Sequence, residues 1–499
     1  MKRLSIGFNF LYRIVLVFFC IMAIRSLGIA LNNFTIIICA IVTITVLYGL
    51  FVILKNAKSK KIIYIIIVAA LAIRILYYFI VGVKQNSDFK VPFQFFEIWK
   101  TDHMKYTYTN LLSELDRFVH RNYYARFPCW GTYGFVVWAL LFLFGNHEAV
   151  VFAFNLCIIG LTLLYLYKSL DKKATNGLAL FATIVYSFSP TMICWASISC
   201  PDHIILLFTV LFIYQWTKFE ESPESFNSII LMALFSGMAV LFKPILPLFP
   251  CILAFFFVAD CKSIKGKDSI KKRIKGIGIY LMSFICISFV LKNAVYFGLQ
   301  KVIQTDIVDS TPFYIAWGYA TNEDGQLDSS AWDYLIKEAR DSSETNAEFM
   351  DKLREAEKPL VIQSIPLLPQ IWMEKFNQLM SDTTFPRFWS LMKSDTVAAK
   401  IISENSRVVC LFFVPPWLAE LIAVMFSVAK KDKINVFTTI GWLGCVCYLV
   451  CASVQARYRM IFMIYHYIMV TFGVVGMSDI VSFIKRKIRE ETQSSSYGG

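Results

Sequence analysis

The side chains best placed for chemistry are ionisable groups beside long apolar runs. Asp88 stands in KQNSDFK (84–90), just after the apolar run 61–83, and Glu97, Asp102, His103, His120, Arg121 and Arg126 follow in the same aromatic-rich stretch. Read blandly, Asp88 is a solvated carboxylate that ends a helix. The surrounding cations and rings favour work on an amphipathic substrate. Arg126, in YYARFPCWG (123–131), suits an anionic headgroup and equally an interfacial anchor. In SCPDHI (199–204), Asp202 and His203 fit a metal pair, a second carboxylate or a helix cap, the cap being commonest. Lys243 in LFKPILP (241–247) suits snorkelling or phosphate binding. Arg457 and Arg459 stand in QARYRMIF (455–462). Acids and cations on one membrane surface suit group transfer from a phosphate-linked lipid. A carboxylate takes the proton of an attacking hydroxyl, and cations stabilise the departing phosphate.

Apolar helices must position these groups. The chain of 499 residues is 57% apolar and 17% charged, against about 45–50% and about 25% in soluble proteins. Solid apolar blocks argue against a soluble enzyme, a disordered chain, a disulfide scaffold and a membrane β-barrel. The thirteen cysteines lie mostly inside apolar runs and read as small hydrophobes. The expected fold is an all-α polytopic membrane protein with about twelve transmembrane helices, near 8–30, 34–54, 61–83, 147–167, 175–195, 202–217, 227–242, 245–260, 275–297, 407–428, 434–452 and 459–480.

The net charge of +14 does not imply nucleic acid, because the cations cluster in short loops such as 55–61, 262–275 and 429–433. The positive-inside rule then places both termini in the cytoplasm and loop 84–146 outside. This arrangement requires the short apolar segment 130–145 to be an interfacial or re-entrant helix of the outer loop. Residues 298–406 hold ten Lys/Arg against seventeen Asp/Glu and read as a small, mainly helical extracytoplasmic insertion. The expected organisation is an N-terminal helix pair (1–60), a transmembrane catalytic module (61–297), the insertion (298–406), C-terminal membrane helices (407–484) and a cytoplasmic tail (485–499).

In order along the chain, AIRILYYF (72–79), SDF (87–89), YARFP (124–128) with its following apolar helix, FSP (188–190), Asp202, GMAVLFKP (237–244) and QARY (455–458) resemble the GT-C superfamily of integral-membrane glycosyltransferases. The likeness is greatest to bacterial enzymes related to protein O-mannosyltransferases and lipid A aminoarabinose transferases. TPFYIAWGYATNEDGQLD (311–328) and IPLLPQIWMEKFNQL (365–379) resemble the outer segment of Gram-positive members.

The resemblance implies an inverting hexosyl- or pentosyltransferase of the bacterial plasma membrane, using a polyprenyl-phosphate sugar. Its acceptor would be an envelope glycan, a lipid or a protein. It implies catalytic roles for Asp88, as base, and Asp202. It implies substrate binding by Arg126, Lys243 and Arg457, with Arg459, Glu97 and His203 as further candidates from the same outer loops. No cofactor is read from the sequence. A divalent metal stays open, since Ala125 stands where aminoarabinose transferases carry an acidic residue. Two alternatives are a lipid-linked glycan flippase or transporter, and a glycan polymerase or ligase using a diphosphate-linked donor.

Overall fold

Backbone polar groups in lipid must be satisfied within the segment, which leaves apolar blocks the helix as their stable form. The computed structural model describes residues 2–27, 33–101, 124–125, 127–245, 248–260, 266–303, 307–308, 338–339, 345–391, 394–451 and 456–496, and every regular element among them is helical. In chain order the first are α1 (Lys2–Ser26), α2 (Phe34–Leu54), α3 (Ile62–Val81), α4 (Val91–Thr101), α5 (Pro128–Phe144), α6 (Glu148–Asp171) and α7 (Asn176–Phe188). Next come α8 (Pro190–Trp195), α9 (Asp202–Glu221), α10 (Phe226–Phe242), α11 (Leu248–Asp260) and α12 (Lys267–Ile303). Residues 345–404 supply α13 (Asn346–Ser364), α14 (Leu368–Ser381), α15 (Phe385–Leu391) and α16 (Val397–Glu404). The last three are α17 (Ser406–Phe426), α18 (Lys433–Val450) and α19 (Met463–Ser496), and 3-10 turns cover Ser87–Phe89 and Ala456–Phe462.

Each of the twelve expected spans falls on a helix. Eight described helices are long and apolar enough to cross a membrane. The remaining spans fall on α7, α9, α10 and α11, of 13 to 20 residues. The chain is thus an all-α polytopic membrane protein. The expected span 175–195 is not continuous. Ser189 is extended (φ −61°, ψ 126°) and Pro190 starts α8, because the residue before a proline disfavours helical backbone.

α19 sits among α17, α18 and α7, while α9 packs against α6 and α10, and α10 against α12. α1 packs on α17, α11 and α14, and α2 on α17 and α7. The first two helices are therefore seated in the bundle. Farther along the chain, α14 buries Ile371, Phe376 and Leu379, and its Phe376 ring lies 5.3 Å from that of Phe19 on α1. The Trp417 indole on α17 donates to the Met380 carbonyl at 3.1 Å. The motif 311–328 and residues Asp102, His103, His120, Arg121 and Arg126 lie outside the described residues.

Gly82 and Gly473 are required by geometry. Gly82 ends α3 in the left-handed region (φ +64°), where a side chain would be strained and would also meet Thr396 Cγ2 at 2.6 Å. Gly473 on α19 lies against the α17 backbone, where an added Cβ would come 1.8 Å from the Ala423 carbonyl oxygen. The close approach of α17 and α19 depends on that missing side chain.

Gly473→Ala should lower stability by at least the ~1–3 kcal/mol typical of overpacking. Gly278→Ala, whose Cβ would meet nothing within 4 Å, should be neutral in the same thermal unfolding measurement. A second expectation concerns α13, where burial pushes the Glu357 carboxyl from 4.5 up to about 8. The folded protein then holds a proton that the unfolded chain releases. Stability contributed at this position falls as pH rises from 4.5 to about 8. Glu357→Gln should flatten that slope in melts across the window.

Candidate active site

The segment carrying Asp88 is fixed from both sides. Gly82 stops α3, and the Gln85 side chain then ties this segment to the turn between α8 and α9. Its Nε2 donates to the Ser197 carbonyl at 2.9 Å, and its Oε1 accepts from the Ser199 N–H at 2.8 Å. The Gln85 N–H donates to Glu148 Oε2 at 2.9 Å, and Asn86 Nδ2 donates to the Trp389 carbonyl at 3.2 Å. Phe89 is buried among Trp130, Trp195 and Trp389, with centroids 5.1 to 5.9 Å away. Between these anchors the Asp88 side chain stays 34% exposed.

Asp88 Oδ2 accepts from Arg457 Nη2 at 3.2 Å. Arg457 is buried, and its guanidinium lies 5.3 Å from the centre of the Phe89 ring, 5.7 Å from Trp389 and 5.5 Å from Tyr458. The other face of the site holds a second ion pair, with Lys243 Nζ 2.9 Å from Asp202 Oδ1. Lys243 also lies 4.6 Å from the centre of the Tyr458 ring. Tyr458 thus meets both cations, and its ring's negative face favours such contacts.

The chain folds to this arrangement for local reasons. Asp202 opens α9, where a carboxylate complements the helix N-terminus. Lys243 ends α10, its backbone extended before Pro244, and the Tyr448 hydroxyl of α18 holds the Pro244 carbonyl. Arg457 and Tyr458 lie in the 3-10 turn before α19, which packs against α9, α14, α15 and α18.

Four expected residues therefore converge: Asp88, Asp202, Lys243 and Arg457. Others point elsewhere. His203 is buried, with Nε2 3.1 Å from the Trp195 carbonyl oxygen, and serves the turn before α9. Arg459 is buried between the rings of Phe385 and Trp417, 4.7 and 4.9 Å away. Glu97 on α4 accepts from Asn146. Arg126 lies outside the described residues. Sequence reasoning missed Tyr458 and Trp389. A tyrosine between two arginines is a readable cue, whereas Trp389 lies far along the chain. It also missed the buried His466–Glu420 pair at 3.1 Å, whose imidazole stacks on Trp417.

Among the described residues, no three His, Cys, Asp or Glu side chains come together as metal ligands. Asp88 and Asp202 face cations instead, so the donor set among the described residues does not fit a divalent metal.

Residues 132–292 match the family model of dolichyl-phosphate-mannose-protein mannosyltransferase. No curated protein matches the chain. The matched stretch is just under a third of the sequence and contains Asp202 and Lys243, while Asp88 and Arg457 lie outside it. The match supports the resemblance to the GT-C superfamily and, in general, a glycosyltransferase of the mannosyltransferase type that depends on a polyprenyl-phosphate sugar. With the apolar helices, it indicates a multi-pass membrane protein.

The Asp202–Lys243 pair can be tested by stability alone. Lys243→Met leaves a carboxylate that is only 7% exposed without its cation, which should cost ~3–5 kcal/mol. Asp202→Asn combined with Lys243→Met should recover most of that loss in denaturant or thermal unfolding.

Proposed function

We propose that this protein transfers a sugar, with inversion, from a polyprenyl-phosphate donor to a hydroxyl of an envelope glycan, lipid or protein. The reaction takes place at the extracytoplasmic face of a bacterial plasma membrane. The observation that carries this reading is the pair of carboxylate–cation contacts meeting at Tyr458. It provides one accessible base and two cations that both contact the Tyr458 ring. At the opposite end of the helices lie Lys60 with Asp171, Lys172 and Lys173 with Glu221, and Arg273 with Glu220. That basic end is read as cytoplasmic, with both chain termini on its side.

Asp88 is the base and Asp202 is not, for a physical reason. Asp88 is 34% exposed at the rim, whereas Asp202 is 7% exposed and locked to Lys243. Asp202 instead holds the Lys243 side chain in place. The donor phosphate competes for Arg457, loosening its hold on Asp88. The acceptor hydroxyl then attacks the anomeric carbon as Asp88 takes its proton. The bond from that carbon to the phosphate oxygen breaks, and its electron pair leaves with the phosphate, which Arg457 and Lys243 stabilise. Gln85 and Phe89 hold the base in place and Tyr458 spaces the cations. A polyprenyl monophosphate is a good leaving group, so this reading requires no general acid.

The test is sugar release from a panel of radiolabelled polyprenyl-phosphate sugars, with envelope extract as acceptor source. Asp88→Asn should cut turnover by about 10²–10⁴-fold while leaving donor binding intact. Arg457→Gln should raise the donor KM and also lower kcat. Full turnover by Asp88→Asn would remove the proposed base, and no release by wild type from any donor would remove the transferase reading.

A further inference from the structure

At the end of the bundle opposite Asp88, α1, α11 and α18 leave a cavity of about 550 Å³. Arg13, Lys431, Lys433 and Asp260 line it, over a floor that includes Ile6 and Phe256. Its charges are not balanced. Lys433 is engaged by Asp260 at 2.8 Å and by Glu220 at 3.2 Å, and Arg273 contacts the same two carboxylates. Among the described residues no carboxylate pairs with Lys431 or with Arg13, whose Nε donates to the Tyr12 hydroxyl at 3.4 Å, so both are in excess at the cavity wall.

Arg13 belongs to a second space as well. A shallow, open groove of about 440 Å³ lies on the exposed face of α1, lined by residues of that helix alone, Phe10, Arg13, Ile14, Val17, Phe18 and Ile21, and apart from Arg13 its lining is apolar. An arginine inside the apolar span 6–26 is costly unless its head reaches the interface or an anion. Here Arg13 lines both the charged cavity and the exposed apolar face of α1. From Arg13 to Ile21 that face runs for about 12 Å of helix, at 1.5 Å per residue.

We propose that this composite site binds one anionic glycerophospholipid of the adjacent leaflet. Its phosphodiester would lie between Arg13 and Lys431, and an acyl chain along α1 toward Ile21. The cavity alone would suit any small anion, and the groove alone would suit any hydrocarbon. Their junction at Arg13 selects a molecule that is both. The site lies about 27 Å from Asp202, taking α9 at 1.5 Å per residue from Asp202 to Glu220. It is therefore distinct from the proposed donor site.

The test is native mass spectrometry of the full-length protein in detergent, titrated with phosphatidylglycerol and separately with phosphatidylcholine of the same acyl chains. Wild type should retain phosphatidylglycerol about tenfold better, as expected for two interfacial cations. Arg13→Gln with Lys431→Gln should abolish that preference without changing the thermal midpoint. Lys485→Gln with Lys487→Gln, which removes two cations from the exposed end of α19, should keep it. Equal retention of the two lipids by wild type overturns the proposal. So does a preference that survives in the Arg13/Lys431 variant or disappears equally in the Lys485/Lys487 variant.

Discussion

The structure depends on how one buried, non-helical turn satisfies its backbone. Between Trp195 and Asp202 the chain leaves helical geometry inside an apolar bundle, where each unpaired carbonyl or N–H is costly. Three side chains from different segments provide the partners. Gln85 serves Ser197 and Ser199, Asn155 on α6 reaches the carbonyls of Ala196 and Ile198 at 3.1 and 3.0 Å, and His203 meets Trp195. The same contacts fix the segment bearing Asp88 relative to the helix bearing Asp202. The separation of the two carboxylates thus follows from backbone satisfaction.

Around that turn, charge is placed where it carries a stability cost. A buried ion pair is often no better for stability than apolar side chains of similar size. The Asp202–Lys243 pair and the buried Arg457 are thus poorly explained as fold stabilisers. The proposed anionic substrate would account for them. Aromatic rings reduce the cost of the cations: Tyr458 for both, with Phe89 and Trp389 for Arg457. The family match covers the Asp202–Lys243 half of this arrangement, and the folded chain brings the Asp88–Arg457 half against it.

Much of this was legible in the sequence. Apolar blocks of span length gave the helices, because lipid leaves little alternative. Asp88, Asp202, Lys243 and Arg457 stood out as charges at block ends, and the fold brings them together. What was not legible depended on long-range contacts. His203 looked like a ligand beside Asp202, but successive helix positions point about 100° apart, and only packing shows that its ring turns inward. Arg459 follows Arg457 by two positions and enters a separate aromatic clamp for the same reason. Trp389 reaches the site from a region whose place against the bundle no local pattern encodes. The break at Ser189–Pro190 was visible as a proline, yet the length of the apolar run concealed it.

α9 has a consequence for the membrane itself. One end is fastened by Asp202 to Lys243, and the other by Glu220 to Arg273 and Lys433. With both ends pinned to neighbouring helices, α9 cannot slide along its axis or tilt independently to suit the surrounding lipid. The span between its two charged ends is a fixed length. Where bilayer thickness differs from that length, the lipid must thin or thicken around the protein, because a shift of α9 would separate one of these charge contacts.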